Sequence, residues 1–204
     1  MRGNEHGDLG AIKLTTQKFY RINGGSTQLE GVKSDIVVPD RYSYIDLGER
    51  DQNNPLGWDK ITPANYNVWD GYSDFDTAVA NSKRRIASHP QIKLIEANAR
   101  WLKEQQDETS VPLHYDTYKK KEAQAKKRSE QFKSLAEYNS QLAFIPLQYE
   151  NELFSRDSTL REKRTRWYKN LAKDIYVEEA VNVLQDLHVN NTKHNEQKLA
   201  GVEE

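Results

Sequence analysis

The chain offers few of the side chains that perform chemistry in proteins. It has no cysteine, which excludes thiol catalysis, disulfides and cysteine-ligated zinc. It also lacks a nucleophile elbow, a phosphate-binding loop, a dinucleotide fingerprint and a His-Glu-x-x-His motif. None of its histidines pairs at the i, i+4 spacing of a helical metal site; they are His6, His89, His114, His188 and His194. We interpret them as surface or capping residues and assign no catalytic residue, no cofactor and no metal ligand.

Charge is distributed unevenly along the sequence, although the net charge is only −1. Residues 34–78 and 174–204 are acidic, and residues 118–173 are basic, with the densest run between Lys119 and Arg128. One interpretation is that these blocks screen one another in the folded protein. The alternative is a non-enzymatic helical binding module that uses a basic helix over residues 116–140 for an anionic partner.

A nucleic-acid interface would interleave aromatic rings with the basic residues. Only Tyr118 and Phe132 lie close to the basic run. We therefore favour the screening interpretation and expect no nucleic-acid partner. No apolar run approaches the roughly 18 residues that a membrane span needs, so we expect no such span either.

Residues 1–40 predict a short antiparallel strand unit. Ile12, Leu14 and Thr16 alternate with polar residues, and residues 36–38 form a β-branched run that stops at Pro39. Residues 23–26 (Asn-Gly-Gly-Ser) predict a tight turn. Two or three short strands are only marginally stable by themselves. We therefore expect this unit to be the edge of a larger sheet, with possible self-association through its exposed strands.

Residues 41–75 predict an ordered connector, and residues 76–204 predict a helical domain. The connector combines turn residues with aromatic rings, and we expect Trp58 to be buried against the helices. The fold class expected is α+β, mainly α. The helical patterns cover residues 74–88, a segment starting at Pro90, and residues 116–140, 153–168 and 171–187.

The N-terminal segment resembles a known family of peptidases. Residues 14–28 and 31–39 are similar to the closing stretch of the protease core in carboxy-terminal processing peptidases, which are serine proteases with a Ser/Lys pair. The similarity lies in a Thr-rich strand, Lys-Phe-Tyr, a glycine turn and a Gly-Val segment that leads to Asp-Ile. The sequence departs from the family pattern at Ser34, where proline is usual.

The remaining chain resembles the tail-specific protease branch of that family, which has a long helical C-terminal region. Residues 54–61 (Asn-Pro-Leu-Gly-Trp-Asp-Lys-Ile) are similar to that branch's Asn-x-Leu-Pro-Trp-Asp-x-Ile. Residues 111–115, with the basic helix that follows, and residues 176–183 are similar to two further segments of the branch. The matches keep their order across residues 9–187.

The resemblance implies a parent protein that is a periplasmic or otherwise exported serine endopeptidase. Such enzymes recognise the apolar C-termini of protein substrates. In the family, the nucleophilic serine, its lysine base and the PDZ-like domain precede the first strand, and Lys13, Lys18 and Ser26 match no catalytic motif. We therefore expect this chain to be a C-terminal fragment with a structural role, inactive alone.

Overall fold

The computed structural model describes residues 10, 11, 15–69 and 71–200, with the side chains of residues 195–200 excepted. The chain divides into two compact units. The first comprises Met1–Lys33 and Asp46–Trp69, and the second comprises Ser34–Ile45 and Asp70–Glu204. The domain boundaries near residues 40 and 75 stay a prediction.

The predicted strand unit, and with it the α+β fold class, is wrong. The described residues contain six α-helices and two isolated antiparallel bridges, which join Tyr20 to Ser26 and Gly25 to Lys60, but no strand. Ile12 and Leu14 lie outside the described residues. Val37, in the β-branched run, is 75% exposed. Strand propensity reflects packing against cross-strand neighbours, and these residues have none in the described part of the chain.

A tight turn forms beside the predicted residues 23–26 and spans residues 21–24. The Gly24 N–H donates to the Arg21 carbonyl at 2.8 Å. Gly24 has a φ of +82°, and a Cβ at this position would collide with the carbonyl oxygen of Ile61. Both the positive φ and the close backbone approach therefore require glycine here.

The first helix begins and ends near the predicted residues, and the second begins at Pro90 as predicted. Helix α1 spans Phe75–Ser88 and helix α2 spans Pro90–Asp107. Pro90 occupies the first turn of α2, where backbone N–H groups have no acceptor within the helix, so the N–H that proline lacks is not needed. Ile92 and Ala99 lie two turns apart on one face of α2, and both are buried.

Helix α3 spans Tyr115–Glu130, which is shorter than the helix predicted over residues 116–140. A 3₁₀ helix follows at Lys133–Glu137. Between them, the Phe132 ring packs on Trp101 of α2, with 5.5 Å between the ring centroids. This tertiary contact accompanies the change to a tighter turn, which periodicity alone does not reveal.

Three helices complete the second unit. Helix α4 spans Gln148–Arg156, helix α5 spans Ser158–Leu171 and helix α6 spans Ile175–Ala200. Asp157 separates the first two, since its Oδ1 accepts a bond from the Leu160 N–H at 2.9 Å and caps α5. The helix predicted over residues 153–168 is therefore divided at Asp157.

Helices α1 and α6 form the most extensive helix pair of the described residues. Ala78 and Ser82 lie one turn apart on α1, and both are fully buried. Small side chains at these positions let two helix backbones approach closely. The short segment 34–45 also contacts α6, because the Tyr176 hydroxyl donates to the Pro39 carbonyl at 3.0 Å.

Candidate functional site

A groove of about 700 Å³ lies between α4, α5 and the non-helical segment 142–147. We call it the α4–α5 groove. This volume falls within the usual range for binding sites of small ligands or short peptides. Its walls are largely apolar and include several polar groups; the lining residues are Ala143, Phe144, Pro146, Asn151, Phe154, Ser155, Arg161, Thr165, Tyr168, Lys169 and Ala172.

Glu150 holds the groove's elements together. Its Oε2 accepts bonds from the Leu147 N–H at 3.0 Å and the Tyr168 hydroxyl at 2.9 Å, and Arg164 lies 3.3 Å from Oε1. The Leu147 N–H, followed by the Tyr168 hydroxyl, lowers the pKa of Glu150 below its ordinary value. Glu150 is only 6% exposed, and these three partners compensate its charge within the protein.

Unlike Glu150, two cationic side chains that line the groove have no ion-pair partner among the described residues. Arg161 and Lys169 lie two turns apart on α5, with Thr165 between them, so all three share one helix face. Among the described residues, neither cationic head group makes an ion pair. The groove therefore combines apolar walls with uncompensated positive charge, and it can hold an apolar ligand that carries an anionic group.

A second polar cluster joins α1 to α6. Glu179 is 5% exposed, and its Oε1 accepts from the Ser82 hydroxyl at 2.6 Å and from Arg85 Nη2 at 2.8 Å. Arg85 also contacts Asp186 through Nη1 at 2.7 Å. Bonding to Glu179 raises the pKa of Arg85 above its ordinary value. All four side chains are paired, which suits a structural lock better than a reaction centre.

Tyr44 anchors the start of the aromatic connector to α2. Its hydroxyl donates to Glu96 Oε1 at 2.7 Å, and the Arg100 guanidinium lies 4.4 Å from its ring centroid. Tyr44 is thus an aromatic residue of the connector that anchors it to α2. Trp58 is 44% exposed, so the burial predicted for it is wrong.

The histidines that the structure describes are capping or surface residues, as predicted. His89 caps α2, because its Nδ1 accepts from the Gln91 N–H at 3.1 Å. His114 precedes α3, and His188 and His194 are exposed on α6. His6 lies outside the described residues. Across residues 15–69 and 71–194, no group of three or more His, Asp and Glu side chains is arranged to hold a metal ion.

Ser26 and Lys18 both contact Asp59 in the first unit. The Asp59 N–H donates to Ser26 Oγ at 3.3 Å, and Lys18 Nζ lies 3.2 Å from Asp59 Oδ1. The Tyr20 hydroxyl donates to the same carboxylate at 2.9 Å and is the main cause of its lowered pKa. Lys13 lies outside the described residues.

The basic helix α3 pairs with Glu104 near the end of α2 and with Glu108, which follows that helix. Arg128 Nη1 lies 2.6 Å from Glu104 and Lys121 Nζ lies 2.5 Å from Glu108. Lys119 pairs with Glu122 on α3 itself at 3.3 Å. Glu104, Glu108 and Glu122 lie outside the acidic blocks 34–78 and 174–204, so these contacts neutralise part of α3 locally and do not show that the charge blocks screen one another. They do not bring the lysines together as a single binding site.

The α4–α5 groove was not predicted from the sequence. One signal pointed to it: Pro146 interrupts the apolar stretch from Leu142 to Leu147, so that an apolar non-helical segment stands between two helices. The positions of Arg161 and Lys169 at its rim depend on how α5 packs, which the sequence pattern does not give.

Comparison with known proteins shows what this helical region is similar to. A family model for the C-terminal domain of tail-specific protease (DUF3340) matches residues 42–188. The tail-specific protease of Haemophilus influenzae (strain KW20 / Rd) is 39% identical over 111 residues. That alignment covers 52% of this chain but only 16% of the relative's length. No solved structure gives a significant match.

The second unit is thus a helical domain with a groove between α4 and α5 and a buried lock between α1 and α6. Because the family model covers most of the sequence, the chain belongs to the family of tail-specific protease C-terminal domains. This confirms the resemblance to tail-specific protease found in the sequence. Among the described helices, none has the length and apolarity to span a bilayer.

Proposed function

We propose that this chain is the C-terminal region of an exported serine endopeptidase that acts on proteins with apolar C-termini. The single observation that carries the proposal is the family match over residues 42–188. In this proposal a serine of the complete protease forms the acyl-enzyme, and a neutral lysine accepts its proton. Burial would lower the pKa of that lysine enough to keep it neutral. Both residues lie outside these 204 residues.

The role proposed for this chain is scaffolding. Support comes from the polar cluster between α1 and α6. In it Ser82 and Arg85 bond to the buried Glu179, and Arg85 also bonds to Asp186. Such a cluster favours one packing of the two helices, since another register would leave the buried Glu179 charge without its partner. Such a domain holds its shape while another part of the protein performs the chemistry.

The test compares this chain with the complete protease. Each is incubated with an unfolded protein that ends in apolar residues, and with the same protein ending in Asp-Asp as a control. We expect cleavage of the first substrate by the complete protease, little cleavage of the second, and none of either by this chain alone. Cleavage by the purified chain at a rate above buffer would show that it contains a reaction centre.

The proposed location in the periplasm or outside the cytoplasm rests on the family and is tested separately. Cell fractionation of the complete protease should recover it with periplasmic markers. Recovery with cytoplasmic markers would contradict export and leave the proposal for peptidase activity unaffected.

A further inference from the structure

The segment that borders the α4–α5 groove has backbone groups available for binding. Residues 142–147 precede α4 and are not helical. Leu142 N–H donates to Ser140 Oγ and Leu147 N–H donates to Glu150. Within the described part of the chain, the N–H groups of Ala143, Phe144 and Ile145 have no acceptor. Unpaired backbone beside a groove is the feature through which a peptide can be bound by main-chain hydrogen bonds.

The walls of the groove suit apolar side chains. Phe144, Pro146 and Phe154 line it, and Phe154 is only 9% exposed. Burial of apolar surface from a ligand against such walls is favourable at roughly 25 cal/mol per Å². The groove therefore favours a polypeptide with apolar residues over a free phosphate or a nucleotide.

The positive charge of the groove favours a ligand that carries an anionic group. Arg161 and Lys169 line the groove without ion-pair partners among the described residues. Glu150, which accepts from Tyr168 of the groove wall, is already bonded to Leu147, Tyr168 and Arg164. A ligand carboxylate therefore has two cations available. Bonds between a guanidinium or ammonium group and a carboxylate are stronger than neutral hydrogen bonds.

We propose that the α4–α5 groove binds the C-terminal residues of a polypeptide. The apolar side chains lie against Phe144, Pro146 and Phe154, the peptide backbone pairs with segment 142–147, and Arg161 and Lys169 bind the terminal carboxylate. This inference rests on the proposed function, since it supplies the substrate's tail with a binding site on the helical domain. It extends that proposal from scaffolding to substrate contact.

The test measures binding of a fluorescein-labelled decapeptide that ends in Val-Ala-Val to the 204-residue chain at 150 mM salt. A second peptide has the same sequence with an amidated C-terminus. We expect the free acid to bind about tenfold more tightly than the amide, because the amide loses the charge-assisted bonds. Equal binding of the two peptides, or no binding of either, would overturn the proposal.

Matched variants locate the site. Arg161→Gln and Lys169→Gln should each weaken binding of the free acid several-fold and leave binding of the amide unchanged. Lys163→Gln, on the same helix but not lining the groove, is the control and should bind as the wild type does. All three positions are exposed, so circular dichroism should report unchanged folding. If neither Arg161→Gln nor Lys169→Gln weakens binding of the free acid, the proposal is overturned.

Two other outcomes would also overturn it. If the chain dimerises in sedimentation experiments and Arg161→Gln abolishes the dimer, the groove binds a second copy instead of a tail. If the complete protease cleaves a protein ending in Val-Ala-Val while this chain binds no peptide, the groove proposal fails and the proposed function stands. If this chain binds the tail and the complete protease does not cleave the protein, the groove proposal stands and the proposed function fails.

Discussion

Arg85 of α1 and Glu179 of α6 form a two-pronged ion pair. Arg85 Nη2 lies 2.8 Å from Glu179 Oε1, and Arg85 Nε lies 3.1 Å from both carboxylate oxygens. Glu179 is almost fully buried, and Ser82 occupies a further acceptor site on the same carboxylate. Since removal of one partner of a buried pair leaves the other without compensation, we expect the helical domain to be sensitive to loss of this contact.

Replacement of Arg85 by methionine should destabilise the second unit by about 3 kcal/mol, because the Glu179 charge stays buried with only Ser82 bonded to it. The measurement is urea denaturation followed by circular dichroism at 222 nm. Lys83→Met, at an exposed position on the same helix, is the matched control and should be within about 0.5 kcal/mol of the wild type. Equal midpoints for the two variants would show that the pair contributes nothing to stability.

Glu150→Gln should change how stability depends on pH. The Leu147 N–H and the Tyr168 hydroxyl lower the folded-state pKa of Glu150 from 4.5. Ionised Glu150 therefore stabilises the folded state above about pH 4.5, and this contribution is lost as the pH falls through the lower folded-state pKa. We predict that the variant is less stable than the wild type at pH 7 and that the difference narrows below pH 4.5.

The control for this pH series is Glu162→Gln, at an exposed position on α5. Its difference from the wild type should be small at every pH. A Glu150→Gln variant whose difference from the wild type stays constant between pH 7 and pH 3 would show that the carboxylate is not ionised preferentially in the folded state.

The predictions that succeeded rest on local chemistry. The N-terminus of α2 was predictable because His89 and Pro90 satisfy the requirements of a helix start by themselves. The turn at Gly24 was predictable for a similar reason, since a positive φ favours glycine. These features depend on a few neighbouring residues and require no knowledge of tertiary contacts.

The predictions that failed depend on residues distant in sequence. A strand needs a partner, and the β-branched run at residues 36–38 has none in the described part of the chain. Helix α3 ends at Glu130, just before Phe132 packs on Trp101 of α2. The α4–α5 groove likewise exists only once α5 lies beside α4 and the segment before it. Binary pattern and residue propensity contain none of these relationships.

Tyr44→Ala should release the segment around residues 40–45 from α2. The substitution removes the hydroxyl bond to Glu96 and the ring beneath Arg100. Amide hydrogen exchange of residues 40–45 should become faster, while exchange within α6 should stay unchanged. Tyr42→Ala is the control, since Tyr42 is 51% exposed and its ring lies 5.2 Å from the neighbouring Arg41 cation. Equal exchange in the two variants would contradict an anchoring role for Tyr44.

The basic helix α3 should not make this chain a nucleic-acid-binding protein. Arg128 and Lys121 already pair with Glu104 and Glu108. We predict no detectable binding of a fluorescent 20-nucleotide single strand at 150 mM salt. The alternative function, a binding module for an anionic partner, predicts tight binding at 50 mM salt that falls steeply by 200 mM as counterions are released.

The scaffolding role is tested most directly by the temperature dependence of cleavage in the complete protease. Cleavage of a protein with an apolar C-terminus and the helical signal at 222 nm are followed in parallel for the wild type, Arg85→Met and the control Lys83→Met. We predict that Arg85→Met loses cleavage at a lower temperature than the other two, in step with melting of its helical domain. Cleavage by Arg85→Met that continues at the wild-type rate after this domain has melted would contradict a scaffolding role.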